Sequence, residues 1–227
     1  CVVLKPAEST PISILVLAEL IADLLPPGVL NIVNGYGREA GMPLATSTRI
    51  AKIAFTGSTT TGRVIAQAAA NNLIPATLEL GGKSPNLVLP GADLQATLPA
   101  TVSGVWINSG QSCISPARIL VHKDQEAEAI GVIKGIMESI QVGDPLAEGG
   151  HIGPVVKAQY EKIQGLIQSG IDEGAKVETG GVGLPSNVNR GYYIKPTVFS
   201  GVTPDMRIAR EETFGPVATV IAYDTLE

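Results

Sequence analysis

Short apolar runs alternate with helix-forming segments along most of this chain of 227 residues. The first three runs lie at 1–4, 29–33 and 52–55, and each is separated from the next by a segment of helical character. Parallel strands cannot be joined by a tight turn, so such alternation is typical of a parallel sheet with crossover helices. We therefore predict an α/β fold.

The same reasoning places the remaining elements. Further strands are predicted at 77–80, 85–89, 117–122, 192–199 and 218–223, and helices at 12–25, 39–47, 63–71, 94–107, 125–140 and 154–173. The last helix has apolar residues on roughly one face, which predicts packing against a sheet. The glycine- and proline-rich stretch at 180–186 is predicted to be a surface loop.

The composition favours a protein with a substantial buried core. Hydrophobic residues make up 44% of the chain and charged residues 16%. The net charge is −5 and there is no basic stripe, so nucleic acid is not expected as a partner. The longest apolar run, at 12–25, is interrupted by Glu19 and Asp23 and is too short and too charged to span a membrane.

The cysteines and the first residues of the chain indicate its setting. Cys1 is terminal and Cys113 lies in a polar loop, so the two are a poor structural pair and are expected to be reduced. Reduced thiols fit the cytoplasm or an organelle matrix. There is no signal-peptide pattern, and the chain opens in what reads as the middle of a strand. We expect an internal segment of a longer protein.

The stretch Asn108-Ser-Gly-Gln-Ser-Cys113 lies between a predicted helix and a predicted strand. A thiol in such a polar turn can meet a substrate, and nearby backbone N–H groups can stabilise its thiolate. A lone cysteine is also often a small buried hydrophobe, so this stretch alone leaves both interpretations open. Neither His122 nor His151 completes a recognisable triad, and both are expected to be structural; no metal is expected.

An acidic residue interrupts an apolar strand in Leu78-Glu-Leu-Gly-Gly-Lys-Ser-Pro85. Buried carboxylates are rare and costly, so Glu79 is expected to be either paired or poised as a base with a raised pKa.

Two stretches in the first third of the chain suit a nucleotide. Glycines in Gly57-Ser-Thr-Thr-Thr-Gly62 would let the backbone approach a phosphate at a helix N-terminus, although a plain strand-to-helix turn fits equally well. Lys5 and Glu8 follow the first strand, where a doubly wound sheet usually binds an adenosine ribose. The alternative is a solvated charge pair. A carboxylate at Glu8 would accept from a 2′-hydroxyl and repel a 2′-phosphate, which favours NAD over NADP.

Four motifs in one order closely resemble the aldehyde dehydrogenase superfamily over nearly the whole chain. They are Gly57–Gly62, Leu78–Pro85, Asn108–Cys113 and Arg210–Pro216. Further matching stretches of sequence, such as Lys52-Ile-Ala-Phe-Thr-Gly57, join them. The resemblance implies a Rossmann-like, parallel-sheet NAD-binding part at 1–82. An α/β catalytic part that carries the nucleophilic cysteine would follow at 83–227, with both parts incomplete. Gly81-Gly82 is the expected boundary.

The resemblance also implies roles for single residues. The Cys113 thiolate would attack an aldehyde carbon, and Glu79 would activate the water that hydrolyses the resulting thioester. The implied cofactor-binding residues are Lys5, Glu8, Gly57, Ser58, Gly62, Leu80, Glu212 and Phe214. The expected cofactor is NAD, with NADP as the alternative. Thr213 stands where the family commonly has Ile, a departure expected to matter little.

The implied activity is oxidation of a small-molecule aldehyde, whose identity the sequence does not give, to a carboxylic acid. The full-length form would be a homodimer or homotetramer, in the cytoplasm or an organelle matrix. Family chains are more than twice this length, and the asparagine amide that helps hold the substrate oxygen would lie upstream. The alternative is therefore an inactive fragment that retains only fold, nucleotide-binding or subunit-interaction features.

Overall fold

A computed structural model of the chain describes residues 1–149 and 152–226. They divide into two compact units, Cys1–Leu80 and Gly81–Glu227. This division falls two residues before the boundary expected after Gly82. The assignment of the two parts to cofactor binding and to catalysis stays a prediction.

The first unit contains two separate pairs of parallel strands. Its strands are β1 (Val2–Leu4), β2 (Leu30–Ile32), β3 (Ile53–Gly57) and β4 (Ala76–Leu80). Its helices are α1 (Ile12–Leu20), α2 (Met42–Thr46) and α3 (Thr59–Asn71), with a 3₁₀ turn at Ala22–Leu24 and a π-helical turn at Gly37–Gly41. Strand β1 pairs with β2 and β3 with β4, which confirms the predicted alternation.

Small side chains form the buried core of the first unit. Its buried apolar residues are Ala45 on α2 and Ala68 and Ala69 on α3. Helix α1 has no buried residue, and its Ile12 and Leu20 side chains are 68% and 76% exposed. Helix α1 begins after Pro11, and no side-chain hydrogen bond caps it.

The second unit is built on one five-stranded sheet. Its strands are β5 (Pro85–Leu87), β6 (Arg118–His122), β7 (Lys176–Thr179), β8 (Thr197–Ser200) and β9 (Val217–Tyr223). The helices are α4 (Leu94–Trp106), α5 (Glu126–Ser139), α6 (Lys157–Asp172) and α7 (Arg207–Arg210), with a 3₁₀ turn at Lys123–Gln125 and a non-helical turn at Ile107–Gly110. The strand order is β5-β6-β9-β8-β7, and every neighbouring pair is parallel except β7 and β8.

Helices cover both faces of this sheet, as parallel strands require. Helices α4 and α5 contribute to one buried cluster, and α6 and α7 contribute to the other. The central strand β9 supplies both clusters, with Ala218 and Val220 in the first and Val217 and Ile221 in the second. Residues 217–221 of β9 are therefore buried throughout.

Two elements of the second unit differ from the prediction. Strand β7 was not predicted, because Lys176–Thr179 contains a single large apolar side chain, that of Val177. Strand β8 begins at Thr197 and not at Tyr192, since Pro196 has no N–H group to donate to a neighbouring strand. The loop at 180–186 is only partly exposed, with Gly181 and Pro185 buried.

The backbone of the loop after α4 lies directly against the backbone that leads into β9. Gly110 has a φ of +74°, and a β-carbon there would overlap the Gly215 carbonyl group and the Pro216 nitrogen. Only glycine fits both the left-handed conformation and the close approach. This contact joins the loop at 107–116 to the segment at 210–216.

We expect Gly110→Ala to lower the free energy of unfolding by about 3–5 kcal/mol, because strain at positive φ adds to a backbone clash. Gly131→Ala on α5 is the control, because its β-carbon would meet nothing within 4 Å and alanine favours a helix. Urea denaturation measures both. Equal midpoints for the two variants would show that the close approach is absent.

Candidate active site

Three consecutive residues in the left-handed region shape the turn that precedes Cys113. The φ angles of Asn108, Ser109 and Gly110 are 54°, 58° and 74°. Positive φ is uncommon for residues other than glycine and costs about 1–3 kcal/mol at each such position. Surrounding contacts must offset this strain for the turn to persist.

Hydrogen bonds within and around the turn supply that support. The Asn108 and Gln111 side-chain amides each donate to the other residue's main-chain carbonyl, both at 3.1 Å. The buried Ser109 hydroxyl donates to the carbonyl of Gly153 at 2.9 Å. Together with the Gly110 contact, these bonds hold the turn in a single conformation.

The Cys113 thiol lies at the exposed end of this turn. Cys113 is exposed and free, and the neighbouring Ile114 side chain is 79% exposed. The exposed position excludes the interpretation of Cys113 as a small buried hydrophobe. Within the part of the chain that the structure describes, the backbone N–H groups of Cys113 and Ile114 have no hydrogen-bond partner. The thiol therefore has two unused donors beside it.

Glu79 does not occupy the environment that the sequence indicated. Its side chain is exposed, so the expectation of a buried carboxylate was wrong. Successive side chains of a strand point to opposite faces. On β4, Leu78 and Leu80 are half-buried on one face, and Glu79 between them is exposed on the other. Among the described residues it has no hydrogen-bond or ion-pair partner, so of the two expected alternatives, paired or poised as a base, the first is excluded.

The glycine-containing turn after β3 is shorter than predicted. Helix α3 begins at Thr59 and not at Arg63, because Ser58 caps it: the Thr61 N–H donates to the Ser58 hydroxyl at 3.2 Å. No partner for the N–H groups of Thr59 and Thr60 exists among residues 1–149 and 152–226. The first turn of a 13-residue helix thus presents two free donors.

The two glycines of this motif also have packing roles. Gly62 is buried in the first turn of α3, and a β-carbon there would lie 2.5 Å from one methyl group of Leu80. At Gly57 a β-carbon would lie 2.5 Å from the Phe55 ring. The absence of a side chain at Gly62 therefore lets α3 approach β4.

Lys5 and Glu8 form an ion pair at the end of β1. The Lys5 ammonium donates to the Glu8 carboxylate at 3.2 Å and to the carbonyls of Pro6 and Gly35 at 2.6 and 3.2 Å. Hydrogen bonds from its own backbone N–H and from Lys5 lower the pKa of Glu8. Glu8 is therefore a carboxylate at neutral pH, and its side chain remains 42% exposed.

The segment between α7 and β9 places Glu212 and Phe214. Phe214 has a φ of 54°, and the Gln159 amide on α6 donates to the carbonyls of Thr213 and Phe214 at 3.0 and 2.9 Å. The Glu212 carboxylate lies against Gly81, where a side chain would collide with it. Its Oε1 atom is buried and has no hydrogen-bond partner.

Sequence reasoning missed Lys83, which lies inside the motif that contains Glu79. Its ammonium donates to the Thr213 hydroxyl at 2.9 Å. Burial lowers the pKa of Lys83 to about 8; the positive charges of Arg118 and Lys162 act in the same direction, and Glu212 opposes them. A lysine directly after a glycine pair was the available signal, but it gives no hint of its partner.

Other groups carry no comparable chemistry. His122 accepts a bond from the Asp124 N–H at 3.3 Å and packs edge-on against the Tyr223 ring, which suits a structural role. His151 lies outside the described residues. Among the described residues, no group of acidic, histidine or cysteine side chains could hold a metal ion. No helix there is long and apolar enough to cross a membrane.

The expected site residues thus fall into two groups, one in each unit. The first unit carries Lys5, Glu8, Gly57, Ser58, Gly62, Glu79 and Leu80, and the second carries Cys113, Glu212 and Phe214.

Comparison with known proteins identifies the family. The model of the aldehyde dehydrogenase family matches residues 1–227. An aldehyde dehydrogenase of Rhodospirillum rubrum is 50% identical over 232 residues, which cover 98% of this chain and 46% of the relative. The chain thus spans about half the length of the curated relatives it matches.

Solved structures agree with this result. An aldehyde dehydrogenase from Bartonella henselae superposes with a TM-score of 0.95 at 48% identity, over 98% of this chain and 47% of that one. A cysteine-to-alanine mutant of aldehyde dehydrogenase C from Pseudomonas syringae, in complex with NAD⁺ and octanal, gives a TM-score of 0.95 at 46% identity, over 98% of this chain and 46% of that one. The chain belongs to the aldehyde dehydrogenase family.

Proposed function

We propose that this chain belongs to an NAD-dependent enzyme that oxidises an aldehyde to a carboxylic acid, with Cys113 as the nucleophile. The observation that carries the proposal is the exposed thiol at the end of a strained turn that several contacts hold in place. Its Pseudomonas syringae relative was crystallised with NAD⁺ and octanal, which supports the cofactor and an aliphatic substrate.

The first step is attack of the Cys113 thiolate on the aldehyde carbon. A carbon–sulfur bond forms, and the carbonyl oxygen acquires a negative charge. The unused N–H groups of Cys113 and Ile114 lie beside the thiol and can stabilise that charge. Because a rigid turn holds these donors before the substrate arrives, little reorganisation is needed.

The second step removes a hydride from the substrate carbon and leaves a thioester on Cys113. NAD, when bound, supplies the hydride acceptor. Glu79 then takes a proton from water, the hydroxide attacks the thioester carbon, and the Cys113 thiolate leaves as the carboxylic acid forms. An exposed carboxylate without a partner suits this role, because no ion pair holds it in one place.

The residues of the first unit fit a dinucleotide. The free N–H groups at the start of α3, next to Gly57 and Ser58, suit a pyrophosphate, and Gly62 lets the helix lie close to Leu80. The Glu8 carboxylate suits a ribose hydroxyl.

Glu212 and Phe214 in the second unit are assigned to the nicotinamide half of the cofactor. The orphaned Oε1 atom of Glu212 is consistent with this role, because a buried acceptor without a partner can bind a ribose hydroxyl.

The alternative is a chain that folds and binds a nucleotide or another subunit without turnover. It is supported by the exposed apolar side chains of α1, which suit a contact with another subunit. NADH formation by residues 1–227 alone would decide against this alternative.

We further propose that the full-length protein is a homodimer or homotetramer of the cytoplasm or an organelle matrix, and that it acts on neither nucleic acid nor membranes.

Cys113 is predicted to be the only essential thiol. In the full-length enzyme that contains this chain, Cys113→Ala should abolish NADH formation from an aliphatic aldehyde, because no other group replaces the nucleophile. Cys1→Ala is the matched control, since Cys1 is also an exposed free cysteine, and it should keep activity within about 2-fold. Equal losses in the two variants would rule out the assignment.

Glu79 is predicted to act in hydrolysis of the thioester. Glu79→Gln should retain the initial burst of NADH and slow steady turnover by about 10²–10⁴-fold, the usual contribution of a general base. Hydroxylamine attacks a thioester without a general base, so it should restore much of the lost turnover. A variant that loses the burst, or that hydroxylamine does not rescue, would place Glu79 elsewhere in the reaction.

The Glu8 carboxylate is predicted to set the preference for NAD. Because its pKa is lowered, Glu8 stays charged through neutral pH and repels a 2′-phosphate. Glu8→Gln should raise kcat/KM for NADP relative to NAD by about 10-fold, which corresponds to about 1.4 kcal/mol. Glu19→Gln, at an exposed acid of α1, controls for net charge. A native enzyme that prefers NADP would contradict the argument.

A further inference from the structure

Lys83 and Thr213 form a hydrogen bond that is largely shielded from water. The Lys83 side chain is half-buried, and Thr213 is 2% exposed. The donor is charged and the acceptor is a hydroxyl, at 2.9 Å. Hydrogen bonds that involve a charged partner are the stronger ones, and loss of the acceptor would leave a half-buried ammonium without a partner.

The Thr213 main chain is held from a second direction. Gln159 donates to the carbonyls of Thr213 and Phe214, so both the side chain and the backbone of residue 213 are restrained. Glu212 is the preceding residue. Because the residues that follow it are held in place, the Glu212 carboxylate can move only by rotation about its own side-chain bonds.

The segment that carries Lys83 also contacts Glu212 directly. The Glu212 carboxylate lies against Gly81, two residues before Lys83. The segments at 81–83 and 212–213 therefore touch at two adjacent points, and a side chain at position 81 would separate them.

Three charged groups act on the Lys83 ammonium. Arg118 on β6, Lys162 on α6 and Glu212 are the charged groups that affect it, and Glu212 is the acid among them. A protonated Lys83 therefore attracts the Glu212 carboxylate by charge, without an ion-pair contact between the two. A neutral Lys83 loses that attraction.

We propose that Lys83 and Thr213 are positioning residues that hold the Glu212 carboxylate where it binds the cofactor ribose. The inference rests on the proposed function, in which Glu212 has that role. The inference assigns a role to Thr213. Its hydroxyl accepts the hydrogen bond from Lys83, and the isoleucine that is common at this position in the family has no such acceptor. The pair should act on cofactor binding and leave the thiol and the aldehyde unaffected.

The test compares Thr213→Val with Thr213→Ser in the full-length enzyme. Valine keeps the shape of threonine without the hydroxyl, and serine keeps the hydroxyl. Thr213→Val should raise KM for NAD by about 10-fold, with the aldehyde KM and the rate of Cys113 alkylation by iodoacetamide unchanged. Thr213→Ser should stay within about 3-fold of the native KM for NAD. Equal KM values for NAD in native and valine enzymes would overturn the proposal.

The pH profile supplies a readout that a purely structural role would not move. Lys83 is cationic below a pKa of about 8 and neutral above it, so KM for NAD should rise as the pH passes through that value. In Lys83→Met, KM for NAD should already be high at pH 7 and should not show that rise. A native and a Lys83→Met enzyme with the same profile would contradict the role. This variant also serves if Thr213→Val does not fold.

A third measurement separates this inference from the proposed function. The pH dependence of acetylation of Lys83, followed by peptide mass spectrometry, reports its pKa without cofactor or turnover. Glu212→Gln should lower that pKa further, because it removes the carboxylate that stabilises the ammonium. If native protein shows no NAD binding, the proposed function fails, and with it the ribose role of the pair. An unchanged pKa in Glu212→Gln overturns the coupling itself.

Discussion

The close approach of the Gly110 and Gly215 backbones is the contact on which the second unit's chemistry depends. It joins the turn that carries the Cys113 thiol to the segment that carries Glu212 and Phe214. Each side of the contact contains a residue other than glycine in the left-handed region, Ser109 on one side and Phe214 on the other. Strain of this kind persists only where surrounding contacts over-determine the backbone.

Those surrounding contacts come from the sheet and its helices. The turn follows α4 and the Glu212 segment leads into β9, and both elements belong to buried clusters. The Ser109 and Gln159 side chains then fix the two loops by hydrogen bonds to main-chain carbonyls. The rigid layers thus explain how an exposed thiol can be held in one position, which loops alone rarely achieve.

The sequence predicted the alternation of strands and helices because each apolar run and each periodic segment carries its own local signal. It could not predict β7, because the sequence of that strand is mostly polar. It also missed the start of α3, because the Ser58 cap lets the helix begin before Gly62. The motif containing Cys113 indicated a polar turn but left open whether the thiol is exposed, and the structure shows that it is. Glu79 was misjudged because an apolar neighbourhood in sequence does not say which face of a strand is covered.

Lys83 shows the limit of motif reading most clearly. Its partner Thr213 is 130 positions away, and only the three-dimensional structure brings the two together. The replacement of an isoleucine by threonine gave no reason to suspect a charged partner. Burial of that partner is what makes the hydroxyl matter.

The central claim is that Cys113 forms a covalent bond with the substrate carbon during oxidation. The direct test is to mix full-length Glu79→Gln enzyme with octanal and NAD, quench with acid within the burst, and analyse the peptides by mass spectrometry. An octanoyl group is expected on the peptide that contains Cys113, dependent on NAD and removed by hydroxylamine. A full burst of NADH with Cys113 unmodified, or with the acyl group on another residue, would contradict it.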